Sequence, residues 1–339
     1  MTFQQQLGSL GDKQQRIAAI ATAIATAAGF DVGHAQRAAA LCKCDLLTSM
    51  VFEFPELQGI MGRYYARHDG EPEAVAVALD EQDQPRHAGD ELPRSATGQA
   101  LAIAERLDTL VGIFAIGQPP TGDKDPFGLR RAALGILRII IEKQLDLDLR
   151  VLIDAAVSNY PSALQAGDSA AAVFSFMMER LRAYYLEAGY DIHVFESVLA
   201  RQPALPLDFD QRMAAVAAFR DLPESDSLAA ANKRIRNILR KADTPIPDAC
   251  TSALLQEPAE QVLAGALEEQ EAVVLPLFAQ RDYTSALCKL AALQEPVDRF
   301  FDAVMVMTDD TALRDNRLAL LNRLSGLFLQ VADISQLQG

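Results

Sequence analysis

Apolar residues recur at helical spacing along nearly the whole chain, and period-two alternation is scarce, so the pattern predicts an all-α protein. A first helix is predicted over Asp12 to Ala28, with Ile17, Ile20 and Ile24 on one face and Gly29 as its stop. A second is predicted over Gly33 to Ser49, with Leu41, Leu46 and Leu47 facing inward. Pro55 interrupts the pattern, which resumes from Glu56 to Ala66, carries Arg63 and closes at Gly70. Glu73 to Leu79 is a short helix, Asp80 to Pro93 a polar loop, and Thr97 to Ile113 a longer helix. Asp146 to Tyr160 and Ser169 to Ala188 follow, then Gln202 to Leu207, whose two prolines mark a domain boundary. Beyond it come helices over Phe209 to Arg220, Ser227 to Lys241, Pro258 to Ala279, Tyr283 to Val306 and Asp310 to Val331. No repeat of fixed period or low-complexity tract is visible.

The stretch Pro119 to Lys143 combines a tight loop with a strongly patterned helix. Asp125 is placed to be its N-cap and Pro126 its first residue, since proline lacks only a donor that the first turn leaves unused. Leu129, Ala133, Leu137, Ile140 and Ile141 form its core stripe, and Arg130, Arg131 and Arg138 crowd the remaining surface, with Lys124 in the loop before it. Such a cluster at a helix start suits an anionic partner; it equally suits a core helix with an arginine-rich solvent face.

Half of the 339 residues are hydrophobic, enough for a sizeable core, and the length suits two or three domains. The net charge of −15 opposes non-specific attraction to nucleic acid, so a polyanionic partner must meet local basic patches. Cys42, Cys44, Cys250 and Cys288 form no CxxC pair and read as buried thiols of a reducing compartment. The first residues lack the charged and apolar regions of a signal peptide, and runs such as Ile139 to Ile141 are too short to span a membrane. A cytoplasmic protein with no membrane partner is the expectation.

Candidate chemistry is sparse. Gly117 to Asp125 superficially resembles a phosphate loop, but Asp123 precedes the lysine, Asp125 replaces the hydroxyl that would hold magnesium, and two prolines remove donors. The histidines His34, His68, His87 and His193 include no pair at ligand spacing, and His68 reads as a surface residue at a helix C-terminus. No Ser–His–Asp or Cys–His set can be assembled from spacing, so no catalytic residue and no metal ligand is assigned.

Leu228 to Lys241 carries five basic groups and no acid inside an acidic chain. Leu228, Ala231, Ile235 and Ile238 form its apolar stripe, while Lys233, Arg236, Asn237 and Arg240 share the opposite face. That face can hold phosphates, and its asparagine and arginines can hydrogen-bond base edges of an unpaired loop. A second basic cluster, Arg314, Arg317 and Arg323, lies in the last helix. A solvated helix face is the plain alternative for either cluster.

Several stretches carry a family likeness: FPELQGIMGRYYA, GDKDPFGLRRAALG and FLQVADIS, each within a longer matching segment. They resemble the glycyl-tRNA synthetase β-subunit family of the bacterial tetrameric enzyme, from about Phe3 to Leu337. The resemblance implies that the chain corresponds to the C-terminal half of a longer β chain, and so reads as a piece of one. It implies further that glycyl-adenylate forms in a separate α subunit, where ATP and magnesium are expected, within an assembly of two α and two β subunits. No cofactor is implied for this stretch.

By the same resemblance, residues 1–145 are similar to an HD-type helical domain, residues 146–205 to a helical linker layer, and residues 206–339 to a helical anticodon-binding domain. The histidine of the His-Asp pair falls on Cys44, beside Asp45, the early histidine near Arg16 and the later aspartate near Glu105, too few ligands for a two-metal hydrolase. The likeness implies a tRNA-binding role instead. Lys233, Arg234, Arg236, Asn237 and Arg240, with Arg314 and Arg317, would meet the anticodon arm of tRNA-Gly; Arg63, Lys124, Arg130 and Arg131 would meet the acceptor side or the joining region. A metal-dependent nucleotide phosphohydrolase and a docking scaffold between subunits are the rival functions.

Overall fold

The protein is seen in a computed structural model that describes residues 1–338 apart from 88, 165, 243 and 244. It is all-α, with one small hairpin of β1 (Thr2–Gln4) and β2 (Gly8–Ser9). The chain divides into two compact units, residues 1–184 with 204–207, and residues 185–203 with 208–339. The first crossing, after Tyr184, falls inside the stretch read as a linker layer, and the last, after Leu207, just beyond it.

Unit 1 holds α1 (Leu10–Ala28), α2 (Val32–Leu41), α3 (Ser49–Glu53), α4 (Ile60–His68), α5 (Glu73–Glu81), α6 (Ala96–Ala115), α7 (Leu129–Glu142), α8 (Leu149–Val157) and most of α9 (Ala170–Glu187). Its centre is α6, which packs against α1, α2, α5, α7 and α8 and is buried along nearly its whole length. The helix starts follow local capping chemistry. The Ser9 and Asp12 side chains form a reciprocal capping box at α1, and the carboxylates of Asp31 and Asp148 accept from backbone N–H groups opening α2 and α8.

Two predicted helices of this unit change. The second ends at Leu41 rather than running to Ser49; a single 3-10 turn, Asp45–Leu47, follows, and Thr48 caps α3 separately. The cause is Asp45: its buried carboxylate accepts from the Gly59 N–H at 2.7 Å, a bond that fixes the chain in a turn there. Leu47, expected to face inward, is consequently 78% exposed. The arginine-rich helix starts at Leu129, three residues beyond Pro126. Asp125 still caps it, its two oxygens accepting from Leu129 N (2.8 Å) and Arg130 N (2.9 Å), but Pro126 and Phe127 form a turn that ends at Gly128, whose φ of +65° is costly for any residue with a Cβ. The predicted stripe of Leu129, Ala133, Leu137, Ile140 and Ile141 is buried.

Unit 2 holds α10 (Ile192–Leu199), nearly all of α11 (Pro206–Arg220), α12 (Ser225–Arg240), α13 (Pro258–Ala279), α14 (Tyr283–Leu290), α15 (Gln294–Ala303) and α16 (Thr311–Leu329). The predicted bounds of α13 match. The single helix predicted from Tyr283 to Val306 breaks into α14, a 3-10 turn and α15, because Pro296 has no N–H for the ladder and is tolerated only in the first turn of a new helix. Tyr185, Phe195 and Phe209 cluster with ring centroids 5.2–6.2 Å apart in its core. The predicted apolar stripe of α12 is buried at Leu228, Ala231 and Ile235 and half-buried at Ile238, and α12 lies against α15, α16 and the terminal turn Ile334–Leu337. The cysteines are free, and only Cys42 is buried; Cys250 is half-buried and Cys44 and Cys288 are exposed, which corrects the expectation of four buried thiols. No helix is long and apolar enough to cross a membrane among the described residues.

Candidate nucleic-acid interface

The apolar stripe of α12 is held inward, so its basic side faces solvent: Lys233, Arg234, Arg236, Asn237, Arg240 and Lys241 are all exposed. Their commitments differ. Arg240 donates to the Asn237 side-chain oxygen at 3.3 Å, Lys233 reaches the Gln338 carbonyl at 3.3 Å, and the Arg234 guanidinium lies 4.2 Å from the centroid of the Phe301 ring. These are weak, exchangeable contacts that a phosphate could replace. Arg236 is different. It makes a 2.5 Å ion pair with Asp333 and a 3.2 Å hydrogen bond to Ser335 Oγ, which tie α12 to the terminal turn. Arg236 is thus a structural clamp as well as an exposed surface cation on the predicted face.

The second basic cluster does not form a surface. Arg317 is buried, pairing with fully buried Glu260 at 2.5 Å and donating to the Met305 carbonyl at 2.9 Å. Its charge serves the interior of unit 2 rather than a ligand, because α16 is buried on most of its circumference. Arg323 is bidentate to Glu271, and Arg314 lies 3.7 Å from its chain neighbour Asp315.

In unit 1, Lys124 and Arg131 are exposed, and Arg130 is half-buried with its guanidinium on the Gly122 carbonyl. Arg131 makes no hydrogen bond or ion pair with a described residue. Arg63 sits apart from them on α4, held by Asp80 at 3.5 Å and Glu73 at 3.9 Å, and Glu73 also binds Arg67. Arg63 therefore belongs to a local ion network. Arg138 pairs with Glu142 one turn on, as an ordinary solvated helix face would.

Of the positions corresponding to the metal ligands of an HD-type domain, Arg16 and Glu105 belong to a salt-bridge cluster, while Cys44 is exposed and the Asp45 carboxylate accepts from the Gly59 N–H. Lys13 Nζ lies 3.3 Å from Glu105 and 3.1 Å from Asp108, Lys43 Nζ lies 3.4 Å from Glu105, and Arg16 Nε lies 2.6 Å from Asp108. Tyr160 Oη closes the group with hydrogen bonds to the Asp108 carbonyl (2.7 Å) and carboxylate (2.9 Å). Two ammonium groups and a guanidinium already neutralise the carboxylates, and no group of three or more His, Cys, Asp or Glu is placed to hold a metal among the described residues. The residues present do not fit a divalent ion. Burial works against ionisation of Glu105, but the charges of Lys13, Lys43 and Arg106 overcome it and hold the carboxyl well below the usual range. Sequence reasoning missed Lys13, Lys43 and Asp108. The signal for Lys13 and Asp108 was the matching i, i+3 spacing of Lys13 with Arg16 on one helix and Glu105 with Asp108 on another.

Beside this cluster is a cleft of about 480 Å³. Asp83 lines it, its carboxylate accepting no hydrogen bond from a described residue, and burial, with the Glu105 charge adding to it against Lys43, pushes it up to about 6. A folded-state value raised above 3.8 favours the protonated form. The contribution is therefore intact below the unfolded value and lost as pH rises through the folded one. Asp83→Asn is expected to stabilise the protein by about 2–3 kcal/mol near neutral pH, and by almost nothing near pH ~3. Denaturant unfolding at the two pH values checks this; a variant destabilised near neutrality would contradict it.

The family profile described as Glycyl-tRNA synthetase beta subunit matches residues 1–200, and that of the DALR anticodon binding domain matches residues 228–333, which include most of α12 and all of α16. The proteins named Glycine--tRNA ligase beta subunit of Marinobacter nauticus, Pseudomonas aeruginosa and Tolumonas auensis are each 56% identical to this chain, over 338, 337 and 336 residues. Each alignment covers 99% of this chain and 49% of the relative, so the chain spans about half the length of the curated relatives it matches. With the first profile covering more than half of its residues and an anticodon-binding domain following, the chain belongs to the glycyl-tRNA synthetase beta subunit family.

Proposed function

We propose that this chain is a tRNA-Gly-binding part of a cytoplasmic glycine–tRNA ligase, acting with an α subunit that supplies ATP, magnesium and the adenylate chemistry, in an assembly of two α and two β subunits. The observation that carries the reading is the exposed basic side of α12, within the DALR match of a chain whose net charge is −15. Lys233, Arg234 and Arg240, with Asn237, would hold the phosphates and unpaired bases of the anticodon arm. Lys124, Arg130 and Arg131 would hold the acceptor side, with Arg63 left to its carboxylates. The rival metal-dependent phosphohydrolase is disfavoured by the ammonium groups beside Glu105 and Asp108.

Replacing Lys233, Arg234 and Arg240 together by alanine tests the assignment without touching the Arg236 clamp. Affinity for tRNA-Gly is expected to fall roughly 30- to 100-fold, and the slope of log K against log salt to shrink by about 2–3, as three phosphate contacts disappear. An unchanged affinity in a variant with an unchanged melting temperature would move tRNA binding elsewhere and favour the docking-scaffold reading.

A further inference from the structure

The cleft of unit 1 carries features that the salt-bridge cluster does not use. Phe3 and Phe127 both line it, and Phe127 is among the exposed large apolar side chains, set in the turn before α7. The Lys13 ammonium lies 4.6 Å from the Phe3 ring centroid, so one face of that ring is taken, and a base can stack on the exposed Phe127 and the other side of Phe3. Its cations are unequally engaged. Arg106 spends its guanidinium on the carbonyls of Gln82, Ala102, Asp83 and Pro85, and Arg86 pairs with Asp80 at 2.9 Å. Arg131 is uncommitted. Its Nη2 would lie 3.0 Å from a Cβ at Gly128, so the glycine leaves room for the guanidinium over the backbone. The carboxylate of Glu105 is neutralised by Lys13 and Lys43, while that of Asp83 is left with no hydrogen-bond donor among the described residues. Asp83 is half-buried in the cleft lining, so its carboxylate is open to a ligand that brings N–H donors.

We propose that this cleft binds one unstacked guanine nucleotide, its base against Phe3 and Phe127, its Watson–Crick edge on the Asp83 carboxylate and its phosphate on Arg131. The preference follows from donor geometry. Guanine presents two adjacent N–H donors on that edge, matching the two oxygens of a carboxylate; adenine and cytosine each pair a donor with an acceptor, and uracil sets one donor between two acceptors. A volume of about 480 Å³ is in the range of small-ligand sites. The nucleotide could be free or an unpaired guanine of an RNA, and the chemistry is shared. The inference stands apart from the assignment of α12.

The test is calorimetric titration of the full chain with GMP, AMP, CMP, UMP and inorganic phosphate, and with a uridine pentanucleotide carrying or lacking a central guanine. GMP is expected to bind about tenfold or more tightly than the other mononucleotides. Asp83→Asn should bring GMP within about threefold of AMP while the variant stays folded, and Arg131→Gln should weaken every nucleotide about tenfold. Tighter binding of GMP than of the guanine-bearing oligonucleotide would identify a free nucleotide as the ligand; the reverse order would identify RNA. The α12 triple variant should bind GMP as before, which separates this site from the α12 assignment; Arg131 is shared with the proposed acceptor-side contact. No binding of any guanine ligand, or a guanine preference that survives in Asp83→Asn, would overturn the proposal.

Discussion

Asp108→Ala is expected to destabilise unit 1 by about 3–5 kcal/mol, a large share of the ~5–15 kcal/mol that holds a typical domain. Asp108 is 0% exposed and is the shared acceptor for Lys13, Arg16 and Tyr160. Its removal leaves Arg16 without its carboxylate partner and leaves Lys13 and Lys43 buried on Glu105. Arg16 also stacks 4.5 Å from the Tyr160 ring centroid and donates to the Leu7 carbonyl, so a displaced guanidinium disturbs the β1–β2 hairpin side of α1 as well. The cost arises from stranding charges, not from losing a favourable pair. A double variant, Arg16→Met with Asp108→Leu, should therefore recover most of the loss. Denaturant unfolding reads both. A loss below about 1 kcal/mol for the single variant would contradict the account, since a cost that small is typical of an exposed pair.

Arg317→Ala is expected to destabilise unit 2 by a similar ~3–5 kcal/mol. Glu260 has two duties: one oxygen accepts from the Glu257 N–H at 2.8 Å in the cap of α13, and the other meets Arg317. Without the guanidinium, a fully buried carboxylate keeps only the cap, and the Met305 carbonyl loses its donor as well. Arg317→Lys keeps the charge but not the fork that serves both partners, and should recover only part of the stability. Thermal unfolding with separate probes in each unit checks the assignment. A variant that melts like the parent but loses tRNA affinity would restore Arg317 to the surface role that its sequence suggested.

That reversal shows where sequence reading stops. Periodicity located the helices because each buries a stripe at fixed spacing, and the limits of α13 and the inward face of α7 were legible on that basis. Local chemistry also showed: Asp125 caps its helix although the helix begins later than proline placement suggested. Charge alone did not say which side of a helix was wet. Arg317 and Arg236 looked alike as basic residues on helices, but one pairs with Glu260 and the other with Asp333, 57 and 97 positions away. Those partners are brought by the fold. The basic side of α12 was readable because its apolar stripe and its cations separate cleanly by helical angle. The cleft beside Glu105 was not, because Phe3, Asp83 and Arg131 come from three distant stretches of the chain.

The most direct measurement is binding of this chain to tRNA-Gly across a salt series, beside an anticodon-altered tRNA-Gly and a non-cognate tRNA. The proposed role predicts the tightest binding for unaltered tRNA-Gly, a loss of about tenfold or more on anticodon alteration, and a steep fall with salt. Equal affinity for all three RNAs, or no binding at low salt, would contradict it.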